Sequence, residues 1–194
     1  MLFLTMIDIL SAFGLSSAAG LNAYLPLLIV GLLARFTDLI TLSKPWDILE
    51  NPWVLALLTV LLVIEMTADK IPAVDTVNDV IQTLVRPAAG AMLFASSNNI
   101  ISDMSPALAL ALGLLAAGGV HAVKATARPV VTAGTAGVGN PVVSFVEDVI
   151  SAVMTLVAIL LPAIAAIGVL IVGFFIGRWF WRRRARDAAA LRHP

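Results

Sequence analysis

Apolar residues run along this chain in long blocks, separated by short polar clusters. The blocks are rich in Leu, Ala and Val and lack the strict alternation of a barrel strand, so they predict helices. Most approach the roughly 20 residues that a helix needs to cross hydrocarbon about 30 Å thick. The pattern places helices at residues 9–34, 53–68, 74–97, 106–124, 142–160 and 163–181. The expected fold is an all-α polytopic membrane protein with six transmembrane helices, or five plus a re-entrant segment. Residues 1–181 form a single helical domain, and 182–194 form a basic tail.

Polar and special residues modify individual blocks. In the first helix Ala12, Ser16 and Gly20 recur every four positions, a small-residue stripe that admits a neighbouring helix closely. Asn22, Tyr24 and Pro26 interrupt the same run near its middle. They read either as a kink whose polar groups are satisfied locally or as the polar lining of a site, because backbone freed by proline at membrane depth needs a protein or water partner. Residues 35–52 read as a polar loop with Trp46 near a membrane surface, where indoles prefer to sit. The run from Pro129 to Pro141, PVVTAGTAGVGNP, reads as a Gly/Thr-rich loop; it lacks the spacing and the GK[ST] ending of a phosphate-binding loop. Pro162 divides the last apolar stretch, and Gly173 with Gly177 makes a GxxxG, a candidate homodimer face.

One pattern occurs twice. Ile71–Ile81, IPAVDTVNDVI, aligns with Asn140–Ile150, NPVVSFVEDVI, with identities at Pro72/Pro141, Asp79/Asp148 and Ile81/Ile150 among others. The segments before them align more faintly, with Pro52 on Pro106 and Lys70 on Lys124. Each unit, 51–97 and 105–160, is an apolar helix ending in lysine, a connector, and a second helix with an acid early in it. Two such units predict pseudo-symmetry with a site between them.

Composition sharpens the membrane reading. The chain is 60% hydrophobic and only 12% charged, with a mean hydropathy of +1.01; soluble domains carry about 25% charged residues. With no cysteine and two histidines, one of them beside the C-terminus, no metal site and no cofactor is expected. The start of the chain lacks the basic region of a signal peptide. Arginines cluster at RRRAR, 182–186, and basic residues favour the cytoplasmic side. Counting back through six spans puts Lys70, Lys124 and Arg128 inside and Arg35 and Lys44 outside, with both termini cytoplasmic in a cell (inner) membrane. Nothing in the charge pattern points to nucleic acid.

Charged groups inside apolar helices are the candidate chemistry. Asp69, Lys70, Asp75, Asp79 and Arg86 come from the first unit, and His121, Lys124, Arg128, Glu147 and Asp148 from the second. His121, Lys124 and Arg128 share one helical face, and Asp79 and Arg86, seven apart, form a candidate pair. Such groups cost about 2.5–3.5 kcal/mol each to insert, so they pair or line a polar cavity. The plain reading is salt bridges and caps at the cytoplasmic interface. The functional reading is that the cations hold an anionic small molecule or a lipid phosphate while the carboxylates carry protons, with Asn22, Tyr24 and Asn140 as further polar lining. On the second reading Asp79 and Asp148 lie side by side across a pseudo-axis.

Four blocks, SAAGLNAYLPLLIVGLLAR (17–35), DKIPAVDTVNDVIQTLVRP (69–87), HAVKATAR (121–128) and Glu147-Asp148, resemble an uncharacterised bacterial membrane family, domain of unknown function forty-one twenty-six. The resemblance runs from Ser11 to Pro162 and implies an integral membrane protein without supplying a substrate or reaction. The expected function is a small transporter, channel or lipid-headgroup flippase; the alternative is a non-catalytic membrane scaffold or assembly factor. An enzyme is not expected, because no HExxH, nucleophile elbow or Ser placed beside a base is present.

Overall fold

The computed structural model describes residues 2–68, 72–97, 104–162, 164 and 178. Six α-helices account for most of them: α1 Leu2–Leu21, α2 Tyr24–Phe36, α3 Pro52–Ala68, α4 Pro72–Ser96, α5 Pro106–Thr135 and α6 Asn140–Pro162. A short 3-10 helix, Trp46–Glu50, precedes α3, and there is no strand among the described residues. Two helices, α5 and α6, are long and apolar enough to cross a membrane, with mean hydropathies of 1.8 and 2.1. Met6–Leu21, α2 and α3 are shorter apolar helices. The expected helix at 163–181 and the 182–194 tail fall outside the described residues, Ile164 and Arg178 excepted.

The first expected helix, 9–34, is two helices. Pro26 has no N–H for the carbonyl of Asn22, and in a continuous helix its ring would clash with that carbonyl. Asn22 takes over as a cap: its Oδ1 accepts from the backbone N–H of Tyr24 at 3.2 Å and of Leu25 at 2.9 Å. The chain then turns back. Residues 39–42, beyond α2, line the same cavity as Asp8 and Ser11 near the start of α1. Trp46 packs against the cluster formed by Ala12, Phe94, Ala95 and Ala109. Thus α1 and α2 form a helical hairpin with its tip at Asn22–Ala23.

Around the hairpin, α4 and α6 run antiparallel to α1, and α5 runs parallel to it. Small residues make the contacts close. Ser16 Oγ donates to Gly90 O at 2.8 Å. A Cβ on Gly20 would strike Ala117 O and Val120, and one on Gly90 would strike Ala117 Cβ and Gly113 O. The stripe at Ala12, Ser16 and Gly20 is therefore used inside the chain, against α4 and α5. Along α6, Asp148, Ser151 and Ala158 meet Asn22, Ala18 and Gly14 in turn. α3 lies against α2, where Gly31 abuts Leu49 O and Leu55, and buries one face, Leu55, Leu58, Leu62 and Glu65.

The expected loop 129–141 is also corrected. α5 continues through Pro129 to Thr135, and only residues 136–139 turn. Proline inside a helix costs about 3 kcal/mol. Side chains on either side of it offset this by tying α5 to α6: Arg128 to Glu147 at 3.0 Å and Thr132 to Asn140 at 3.1 Å. The turn uses left-handed backbone at Ala136 (φ 50°) and Gly137 (φ 84°), a common helix ending.

Candidate functional site: a buried helix break among charges

A helix that stops inside a bundle strands carbonyls at its C-terminus, and one that starts there strands amides. The hairpin tip does both, and charged side chains from three helices meet it. At the end of α1, Leu21 O accepts from Lys124 Nζ at 3.1 Å, and Ala18 O accepts from Ser151 Oγ at 2.9 Å. At the start of α2, Ala23 N donates to Glu65 Oε1 at 3.4 Å. A cation at a helix C-terminus and a carboxylate at an N-terminus are the arrangement the helix dipoles favour. Asn22, between the two helices, gives its Nδ2 to Asp148 Oδ1 at 2.9 Å.

Two ionic clusters flank the tip. In the first, Arg86 is wholly buried and pairs with Glu65 at 3.0 Å; Glu65 is 1% exposed. Asp79 approaches Arg86 at 3.7 Å, as their seven-residue spacing predicts. Arg86 also lies 3.0 Å from His121 Nδ1. A guanidinium can only donate, so Nδ1 accepts, the His121 proton sits on Nε2, and the imidazole is neutral. Nε2 then donates to Thr83 Oγ1 at 3.1 Å, and Thr83 Oγ1 donates to Asp79 O at 2.8 Å. In the second cluster one oxygen, Glu147 Oε2, is shared by Lys124 Nζ and Arg128 at 3.0 Å each. Lys124 and Arg128 are buried; Glu147 keeps about 15% of its side chain exposed.

Of the residues singled out from sequence, Asp79, Arg86, His121, Lys124, Arg128, Glu147, Asp148 and Asn22 are brought to or beside the break. Tyr24 starts α2 near Gln82. Asn140 is hydrogen-bonded to Thr132 at the α5–α6 turn. Asp69, Lys70 and the side chain of Asp75 lie outside the described residues. Asp79 approaches Arg86, and Asp148 accepts from Asn22. The repeat alignment sets Glu65 against Gly119 and Arg86 against Thr155, so the innermost ion pair belongs to one unit only.

Glu65 is the main residue that sequence reasoning left out of the site. Its signal was present: it continues the buried face Leu55, Leu58, Leu62 at helical spacing, so a carboxylate there has to face the bundle. Gln82, Thr83 and Ser151 carried no such signal, being common polar residues on mixed faces.

A model of the family described as Domain of unknown function (DUF4126) matches residues 9–183. The chain belongs to this family. In this DUF4126 member the matched region takes in the hairpin tip and both ionic clusters, and the family description attaches no reaction to them. Searches of curated proteins and of solved structures return no match.

Proposed function

We propose that this chain is a multi-pass membrane transporter for a small anionic solute, with its site at the hairpin tip. The observation that carries this reading is the Glu147 oxygen held 3.0 Å from both Lys124 and Arg128 beside a buried helix break. One oxygen between two cations is the geometry that a carboxylate or phosphate oxygen of a solute adopts. Glu147 is the least buried of the three, so it is the group able to yield its place. Helices broken near mid-depth, with termini facing the site, are a recurrent way for transporters to hold ions. Ionisable groups are retained in such surroundings where they pair or line a pathway.

On this reading α3–α6 span the bilayer and α1–α2 enters and leaves on one side. The amino terminus then shares a side with the 37–51 loop, and the turn at 136–139 faces the opposite side. If 163–181 crosses once more, the basic tail joins that turn on the cytoplasmic side, and the two termini are separated rather than both cytoplasmic. The two-unit repeat is not needed for this mechanism.

The test is a thermal-shift titration of the full chain in detergent with phosphate, sulfate, acetate and succinate. Glu147→Gln is expected to enlarge the stabilisation by at least one of these anions, because the internal competitor is gone. Lys124→Gln is expected to abolish it while the protein stays folded. Should no anion stabilise either the parent chain or Glu147→Gln, the charges are structural and the scaffold reading replaces this one.

A further inference from the structure

A second feature lies at the other end of the hairpin, away from the ionic clusters. The first half of α1, the middle of α2, residues 39–42 and the ends of α4 and α6 enclose a cavity of about 350 Å³. That falls in the range of small-ligand sites, roughly 300–1,000 Å³. Its walls are apolar, built by Leu15, Val30, Ile40, Leu42 and Ala158. Two polar groups on one face of α1, Asp8 and Ser11, stand three residues apart on its lining.

The Ser11 hydroxyl differs from those of Ser96 and Ser97. Ser96 and Ser97 spend theirs on Leu93 O, at 2.9 Å each. The Ser11 hydroxyl is buried (the residue is 6% exposed) and has no hydrogen-bond partner among the described residues. A buried hydroxyl left unmet is destabilising, and a ligand with a matching group relieves that. Asp8 supplies the only charge among the described lining residues, and it is negative.

We propose that this cavity binds a primary amine carrying an apolar body of about two rings or a short chain. The apolar part fills the space between Leu15, Val30 and Ala158, and the ammonium donates to Asp8 and Ser11. An ammonium has three N–H donors and meets both oxygens at once. A carboxylate in the same place faces Asp8 and is repelled. The site shares no charged residue with the anion site, so each stands or falls without the other.

The experiment measures binding of 1-naphthylmethylamine, 1-naphthylmethanol and 1-naphthoate to the purified full chain by equilibrium dialysis. The amine is expected to bind about tenfold more tightly than the alcohol, with the carboxylate weakest. Asp8→Asn, which keeps shape and removes charge, is expected to erase the amine's advantage over the alcohol. Ser11→Ala is expected to weaken amine and alcohol alike by a few-fold. Gly119→Ala, at a position that belongs to neither site, serves as the control and leaves amine binding unchanged. Equal binding of the three probes, binding of none, or a preference that survives Asp8→Asn would each overturn the proposal.

Discussion

Arg86 has no exposed surface and meets unlike partners, among them Glu65, Asp79 and the neutral imidazole of His121. A buried ion pair is weak evidence of net stability, since desolvation consumes most of the attraction, but removing one member strands the other. Arg86→Met is therefore expected to destabilise the protein by about 3–5 kcal/mol. The double variant Glu65→Leu/Arg86→Met is expected to cost clearly less than the sum of the two single changes, because neither charge is left alone. Unfolding of the four proteins in detergent, arranged as a double-mutant cycle, checks this; strict additivity would mean that the two side chains do not act as a pair. Lys124 and Arg128 were legible in the sequence as one face of a helix, and both are buried on that face. Glu65 was visible by the same logic in α3, but the more strongly charged end at Asp69 and Lys70 masks it.

At the scale of elements, glycines separate contacts from empty surface. Gly90 lets α4 approach α1 and α5, with Ala117, Gly113 O and Ser16 O all where its Cβ would stand. Gly119 is also within a helix, but no described atom lies within 4 Å of its Cβ position. Gly90→Ala is expected to lower stability by about 1–3 kcal/mol through overpacking. Gly119→Ala is expected to be neutral or to raise it by up to about 1 kcal/mol, since alanine favours a helix more. Melting temperatures of the two variants decide the matter, and equal effects would contradict the packing described. Helices α3 to α6 were readable from apolar blocks, because length and hydrophobicity act locally. The hairpin was not, because a polar interruption such as Asn22–Tyr24–Pro26 is compatible with a kink or a reversal. Only the packing of Trp46 and residues 39–42 beside the start of α1 distinguishes them. The extension of α5 through Pro129 was hidden for a similar reason. Its glycines and threonines favour a loop locally, and the ties from Arg128 and Thr132 to α6 that override them are tertiary.

For the whole molecule, one structural fact carries the proposed function: a helix pair ends inside the bundle, and the proposed transport requires an anion to reach that end. Ser144 offers a direct probe of the route. It sits on the buried face of α6 between the 136–139 turn and Asp148, and its hydroxyl has no hydrogen-bond partner among the described residues. The chain contains no cysteine, so Ser144→Cys is a single reporter in an otherwise silent background. The measurement is the rate at which this thiol is modified by a small, charged, membrane-impermeant reagent in sealed vesicles, with and without the stabilising anion. The anion route predicts reaction from the side of the 136–139 turn only, slowed when the anion is bound. A thiol that stays unreactive from both sides in the folded Ser144→Cys protein would show a bundle packed solid at this depth and would contradict that route.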